Sequence, residues 1–208
     1  MIDAYTWTTP NGQKLVIALE ELGVPYKLHW IDISKDEQKT PEFLAINPNH
    51  KIPAIVDRDG PGAKPLAVFE SGAVLLYLAD KTGKLLAREG AARYAALEWM
   101  FFNIGNTGPI TGQLGFFGKR APEKVPMAIE HFKTEVERLH GVLDTRLGQA
   151  RYLAGDAYTM ADIINVTWVL AAEKAELGLE PRKKKNLGRW LDEVTARPAV
   201  KKGLEAKP

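Results

Sequence analysis

The stretch that decides the fold is NPNHKIPAIVDRDGPGAKPLAVFESGAVLLYLAD, residues 47–80. Within it, AIVD (54–57) and PLAVFE (65–70) are short runs rich in β-branched and aromatic residues, and Asp59-Gly60-Pro61-Gly62 between them reads as a hairpin loop. Helical spacing then takes over in SGAVLLYLADKTG (71–83), with Ser71 expected as the cap and Gly83 as the stop. Upstream, IDAYTW (2–7) and YKLHWIDI (26–33) read as strands. They flank NGQKLVIALEEL (11–22), where Leu15, Leu19 and Leu22 share one helix face and Gly23-Val24-Pro25 ends it. TPEFLAIN (40–47) reads as a short helix, Thr40 capping it and Pro41 taking the first helical position. The order is βαβαββα, a mixed sheet with helices on its faces.

Beyond residue 84 the strand signals stop. Helical periodicity runs through 88–116, 123–148, 159–175 and 185–197, after a linker TGKLLAREG at 82–90. The expected architecture is α/β plus all-α, with one domain at 1–83 and an all-helical one at 88–208. Thr107-Gly108-Pro109 marks a kink inside a long helix. Thr159 followed by Asp162 is a capping-box signature, which makes Asp162 structural.

Composition narrows the function. With 28 basic and 26 acidic side chains the formal charge is +2, too small to argue for nucleic acid. Arg182-Lys183-Lys184-Lys185 is a local basic run, read as a solvated loop and helix start. There is no cysteine, which excludes a disulfide framework, a thiolate metal site and a thiol nucleophile belonging to the protein. No metal is expected. No apolar run reaches the ~20 residues of a membrane span, and Met1 leads straight into strand residues, so a cytoplasmic protein without membrane partners is expected.

Three motifs in order carry a family resemblance: TTPNG opening the first helix after a strand, NPNHKIPAIVD, and FESGAVLLYLAD. Together with GPITGQ at 108–113 and the helical second half, they resemble the cytosolic glutathione transferases, most of all the bacterial nu class. The resemblance spans nearly the whole chain. It implies a thioredoxin-like N-terminal domain that binds glutathione as co-substrate, a helical domain for the second substrate, and a homodimer.

Glutathione carries two carboxylates, one ammonium and one thiol, and the resemblance assigns each a holder. Glu70 and Ser71 would take the γ-glutamyl end, its carboxylate at a helix N-terminus and its ammonium against Glu70. In thioredoxin-like folds the X-Pro bond is cis, so Ile52-Pro53 would offer the Ile52 main chain to the cysteinyl unit. Lys51, with Gln38 as a weaker candidate, would meet the glycyl carboxylate. In redox thioredoxin folds the first turn carries Cys-x-x-Cys; here it reads Thr8-Thr9-Pro10-Asn11, so the sulfur must arrive with the ligand. Thr9 and Asn11 are the expected catalytic pair, holding the glutathione thiolate. Lowering a thiol from pKa ~8.5 by two units takes roughly 2.7 kcal/mol. One hydrogen bond to a charged group supplies ~1.5–3 kcal/mol and a helix N-terminus ~0.3–1 more. Tyr5 lies inside the strand and reads as packing. Trp99, Phe101, Phe102, Phe116 and Phe117 could line an apolar site but fit core or dimer interface as well.

The expected activity is glutathione-dependent reduction of small disulfides, with weak conjugation or peroxide reduction. A conventional transferase acting on apolar electrophiles and a non-catalytic scaffold are the alternatives.

Overall fold

The computed structural model describes residues 1–208, which form two compact units: Met1–Arg88 with Arg197–Pro208, and Glu89–Ala196. The strands are β1 (Ile2–Thr6), β2 (Tyr26–Trp30), β3 (Ala54–Asp57) and β4 (Leu66–Phe69). The α-helices are α1 (Pro10–Leu22), α2 (Pro41–Leu44), α3 (Ser71–Thr82), α4 (Gly90–Phe102), α5 (Gly108–Gly115), α6 (Pro126–Leu147), α7 (Met160–Lys174), α8 (Lys185–Thr195) and α9 (Pro198–Glu205).

In the first unit the strands form one sheet in the order β2-β1-β3-β4. β1 and β2 are parallel, as a strand-helix-strand crossover requires, while β1/β3 and β3/β4 are antiparallel. α1 ends as its sequence demands, on Gly23 at φ 67°, a left-handed conformation that glycine adopts at no steric cost. Gly12 is required for another reason. A Cβ there would lie 2.0 Å from the Trp7 carbonyl oxygen and 2.6 Å from Thr6 Oγ1, so the first turn of α1 rests directly on the tip of β1.

Two details differ from the sequence reading. Ser71 is the first residue of α3 and not its cap; Glu70 holds the cap position at φ 70° and makes no side-chain capping bond. In addition, the chain's last helix belongs with the first unit. α9 packs on α1, and a Cβ on Gly203 would fall 2.4 Å from Ile17 Cγ1, so the absent side chain sets the approach. Arg197 anchors the entry to α9 with two hydrogen bonds to the Glu21 carboxylate, at 2.6 and 2.8 Å. With α3 and α9 both against it, α1 is buried without a break from Lys14 to Leu19.

The second unit is helical. Its long first helix does not run straight: π-turns at Asn103–Thr107 and Phe116–Arg120 interrupt it. Pro109 has no N–H to give the preceding turn, and the Gly108 N–H bonds to the Asn103 carbonyl five residues back. α7 starts with the expected capping box, Thr159 Oγ1 accepting from the Ala161 N–H at 3.2 Å and Asp162 Oδ2 from the Thr159 N–H at 2.9 Å.

Candidate functional site

Strand register brings the motifs together. Tyr5 pairs with Ala54, and Ala54 pairs with Phe69, so one row crosses β1, β3 and β4. Just off that row lie the Thr8–Asn11 turn after β1, Ile52-Pro53 before β3, and Glu70-Ser71 after β4. Three segments distant in sequence thus converge at one end of the sheet.

Thr9 caps α1, its Oγ1 accepting from the Gly12 N–H at 3.2 Å. A hydroxyl has one proton and two lone pairs, so capping uses a lone pair and leaves the O–H to donate elsewhere. Thr8 is exposed and Thr9 half-buried. Tyr5 stacks on His29 at 4.6 Å within the sheet, and burial pushes its phenol above the ordinary value, the reverse of what an activating hydroxyl needs.

The Ile52–Pro53 peptide is cis. The Ile52 side chain packs with Phe43 and Ala54, while its main chain makes no hydrogen bond to another backbone group. The approach to this segment is braced by Asn47, a buried residue absent from the expected site. Its Nδ2 donates to the Lys51 carbonyl at 2.6 Å and its Oδ1 accepts from the Asn49 N–H at 2.9 Å. Lys51 itself is exposed.

At the third segment the α3 N-terminus carries no side-chain cap, so its first-turn N–H groups and the positive end of the helix dipole are presented together. Glu70 is exposed and accepts from Asn49 Nδ2 at 3.5 Å. Gln38 stands apart from this row, in a short turn where its Nε2 donates to Asp36 Oδ1 at 3.4 Å.

One residue unforeseen in the sequence is Lys14. It is 1% exposed, and its Nζ donates to Asn11 Oδ1 at 2.9 Å. Burial pushes its ammonium down to about 7, with the Glu70 carboxylate acting in the opposite direction.

In the helical unit the aromatic residues do not form one surface. Trp99 meets Phe102 edge-on at 5.3 Å, whereas Phe117 stacks on Phe132 at 5.7 Å and Phe116 packs against Phe117. Phe101 points away, 65% exposed.

A cysteine-free first turn, a cis proline and an uncapped helix start thus meet at one end of a thioredoxin-like sheet. The chain belongs to the glutathione S-transferase family: its N-terminal domain model matches residues 8–81 and its C-terminal domain model residues 109–198. Among its relatives, the disulfide-bond oxidoreductase YfcG of Escherichia coli is 44% identical, over 98% of this chain and 94% of that protein. A glutathione transferase family member from Pseudomonas fluorescens, solved with two glutathiones bound, is 46% identical with a TM-score of 0.94, covering 98% of this chain and 92% of that one. A Pseudomonas putida glutathione transferase with one glutathione disulfide bound per subunit is 39% identical with a TM-score of 0.93, covering 100% and 92%.

Proposed function

We propose that this protein is a nu-class-like glutathione transferase that reduces small disulfides with glutathione. The observation that carries this reading is the convergence of the Thr9 hydroxyl and Asn11 amide with the cis Ile52-Pro53 segment and the uncapped α3 start, in a chain without cysteine. The α3 N-terminus and Glu70 take the γ-glutamyl carboxylate and ammonium, the Ile52 main chain the cysteinyl unit, and Lys51 the glycyl carboxylate. Gln38 has the weaker claim to that last role. Thr9 and Asn11 donate hydrogen bonds to the sulfur and favour thiolate.

The bound thiolate attacks a disulfide sulfur, forming a mixed disulfide and releasing one thiolate product. A second glutathione thiolate attacks the glutathionyl sulfur, giving glutathione disulfide and the second thiolate product. The protein contributes orientation and charge stabilisation and is itself never oxidised. The ligands of the relatives, two glutathiones in one and the disulfide in another, fit the two ends of this sequence.

The sheet-bearing unit is read as the glutathione-binding domain and the helical unit as the second-substrate domain. A homodimer goes with the family, and Tyr94 and Phe101, seven residues apart on α4 and both exposed, support it. A reductase driven by free thiol works in a reducing compartment, so we assign it to the cytoplasm.

The test is turnover of hydroxyethyl disulfide with glutathione, coupled to NADPH oxidation by glutathione reductase, beside conjugation of a nitroaromatic halide. Disulfide turnover that falls at least about tenfold in Thr9→Val and Asn11→Ala is expected. Conjugation alone would move the reading to a conventional transferase. Failure to bind millimolar glutathione would leave a scaffold.

A further inference from the structure

The geometry points to Lys14 as a positioning residue, which holds the Asn11 carbonyl oxygen and so turns the Asn11 amide donor edge toward the glutathione sulfur. This rests on the reading of Asn11 as a thiolate holder. An ammonium in a protein core is costly and seldom found without a partner that uses it. Here the core lysine lies one helical turn after the residue expected to meet the reacting atom, with a 2.9 Å contact between them.

The chemistry of that contact fixes a direction. A lysine ammonium has three donors and no acceptor, so the Asn11 atom facing it must be the oxygen. An asparagine amide is nearly symmetric in shape, and a half-turn about its last torsion exchanges donor and acceptor edges at little steric cost. In one state the edge away from Lys14 offers N–H groups, which stabilise a thiolate. In the other it offers carbonyl lone pairs, which repel one. Lys14 selects the first state.

Burial of Lys14 makes that selection firmer, because a contact made by a covered ammonium is electrostatically stronger than one in water. Glu70 acts against the burial and favours the charged ammonium, which links the holder of the ligand's amino end to the orientation of the sulfur holder.

The test is the pKa of the glutathione thiol bound to the folded protein, followed by ultraviolet thiolate absorbance. Lys14→Met, Asn11→Ala and the double variant are compared, each shown to be folded by its melting curve. Lys14→Met is expected to raise the bound thiol pKa by about one unit, leaving about tenfold less thiolate below it. It should lower kcat about threefold at neutral pH and about tenfold well below the bound thiol's pKa, with the KM for glutathione nearly unchanged. The double variant should be no worse than Asn11→Ala, because Lys14 acts through Asn11. A wild-type thiol pKa in Lys14→Met beside a raised one in Asn11→Ala overturns the positioning role alone. Wild-type values in both overturn the thiolate-holder reading and this inference with it. Should Lys14→Met not fold, Lys14→Gln, which keeps an N–H donor, is titrated instead. A value near wild type is expected, and a shift as large as that of Asn11→Ala overturns the proposal.

Discussion

The Trp190 indole Nε1 donates to Asp162 Oδ1 at 2.8 Å, tying α8 to the first turn of α7 with both side chains fully buried. The same oxygen accepts from the Leu153 N–H at 3.1 Å, and Oδ2 accepts from the Thr159 N–H at 2.9 Å. The Thr159 hydroxyl also donates to Oδ2, at 3.3 Å, so the carboxylate is the meeting point of four donors. Asp162→Ala removes the acceptor from all four and is expected to cost at least about 3 kcal/mol. Asp162→Asn keeps one acceptor and should cost less. Urea unfolding of the two variants checks the order.

His140 predicts an acid-side loss of stability. It is buried on α6, its Nε2 has no hydrogen-bond partner, and burial, aided by Lys184, pushes its imidazole down to about 4. The unfolded chain takes up this proton near its ordinary value of about 6.5, so between there and about 4 the unfolded state binds more protons than the native one. The stability from this group is complete above about pH 6.5 and is lost as pH falls toward 4, to a total of about 3 kcal/mol. His140→Leu should flatten that limb relative to wild type when unfolding free energies are measured at pH 7 and 4.5.

Gly12→Ala should damage stability and binding together. The added methyl meets the Trp7 carbonyl and Thr6 Oγ1, so the first turn of α1 must move off β1, at a cost of about 1–3 kcal/mol. Thr9 and Asn11 belong to that turn, so weaker glutathione binding is expected alongside the lower melting temperature. Calorimetric titration at a temperature where the variant is folded separates the two effects.

Arg197→Ala removes both donors from a Glu21 carboxylate that is largely covered, and should destabilise the first unit by about 1–3 kcal/mol. Hydrogen exchange should then quicken in α1 and α9. Unchanged protection in α1 would show that α9 holds without this anchor.

The sheet and most helices were legible because period and punctuation agreed. AIVD became β3 residue for residue, Gly23 and Gly83 end α1 and α3, and Thr159 with Asp162 opens α7. Lys14 was not legible, since a lysine in a half-apolar helix ordinarily faces water. It lies in the continuously buried run Lys14–Leu19 of a helix that packs against both α3 and α9, the latter far along the chain. One signal was present: Lys14 stands four residues before Ala18 and eight before Leu22, inside the inward stripe. Asn47 was missed because it braces a loop through contacts that have no periodicity. At α3 residue type points to the serine as cap, but the turn out of β4 puts Glu70 at that position.

The return of Arg197–Pro208 to the first unit bears on how the protein is made. The sheet-bearing unit is assembled from two separate stretches, Met1–Arg88 and Arg197–Pro208, with Glu89–Ala196 inserted between them. During synthesis the sheet and α1 leave the ribosome early, yet α1 keeps one flank uncovered until α9 has emerged. The helical unit has all its residues by then and can complete its core first. Completion of the sheet-bearing unit therefore waits on residues made after every residue of the helical unit.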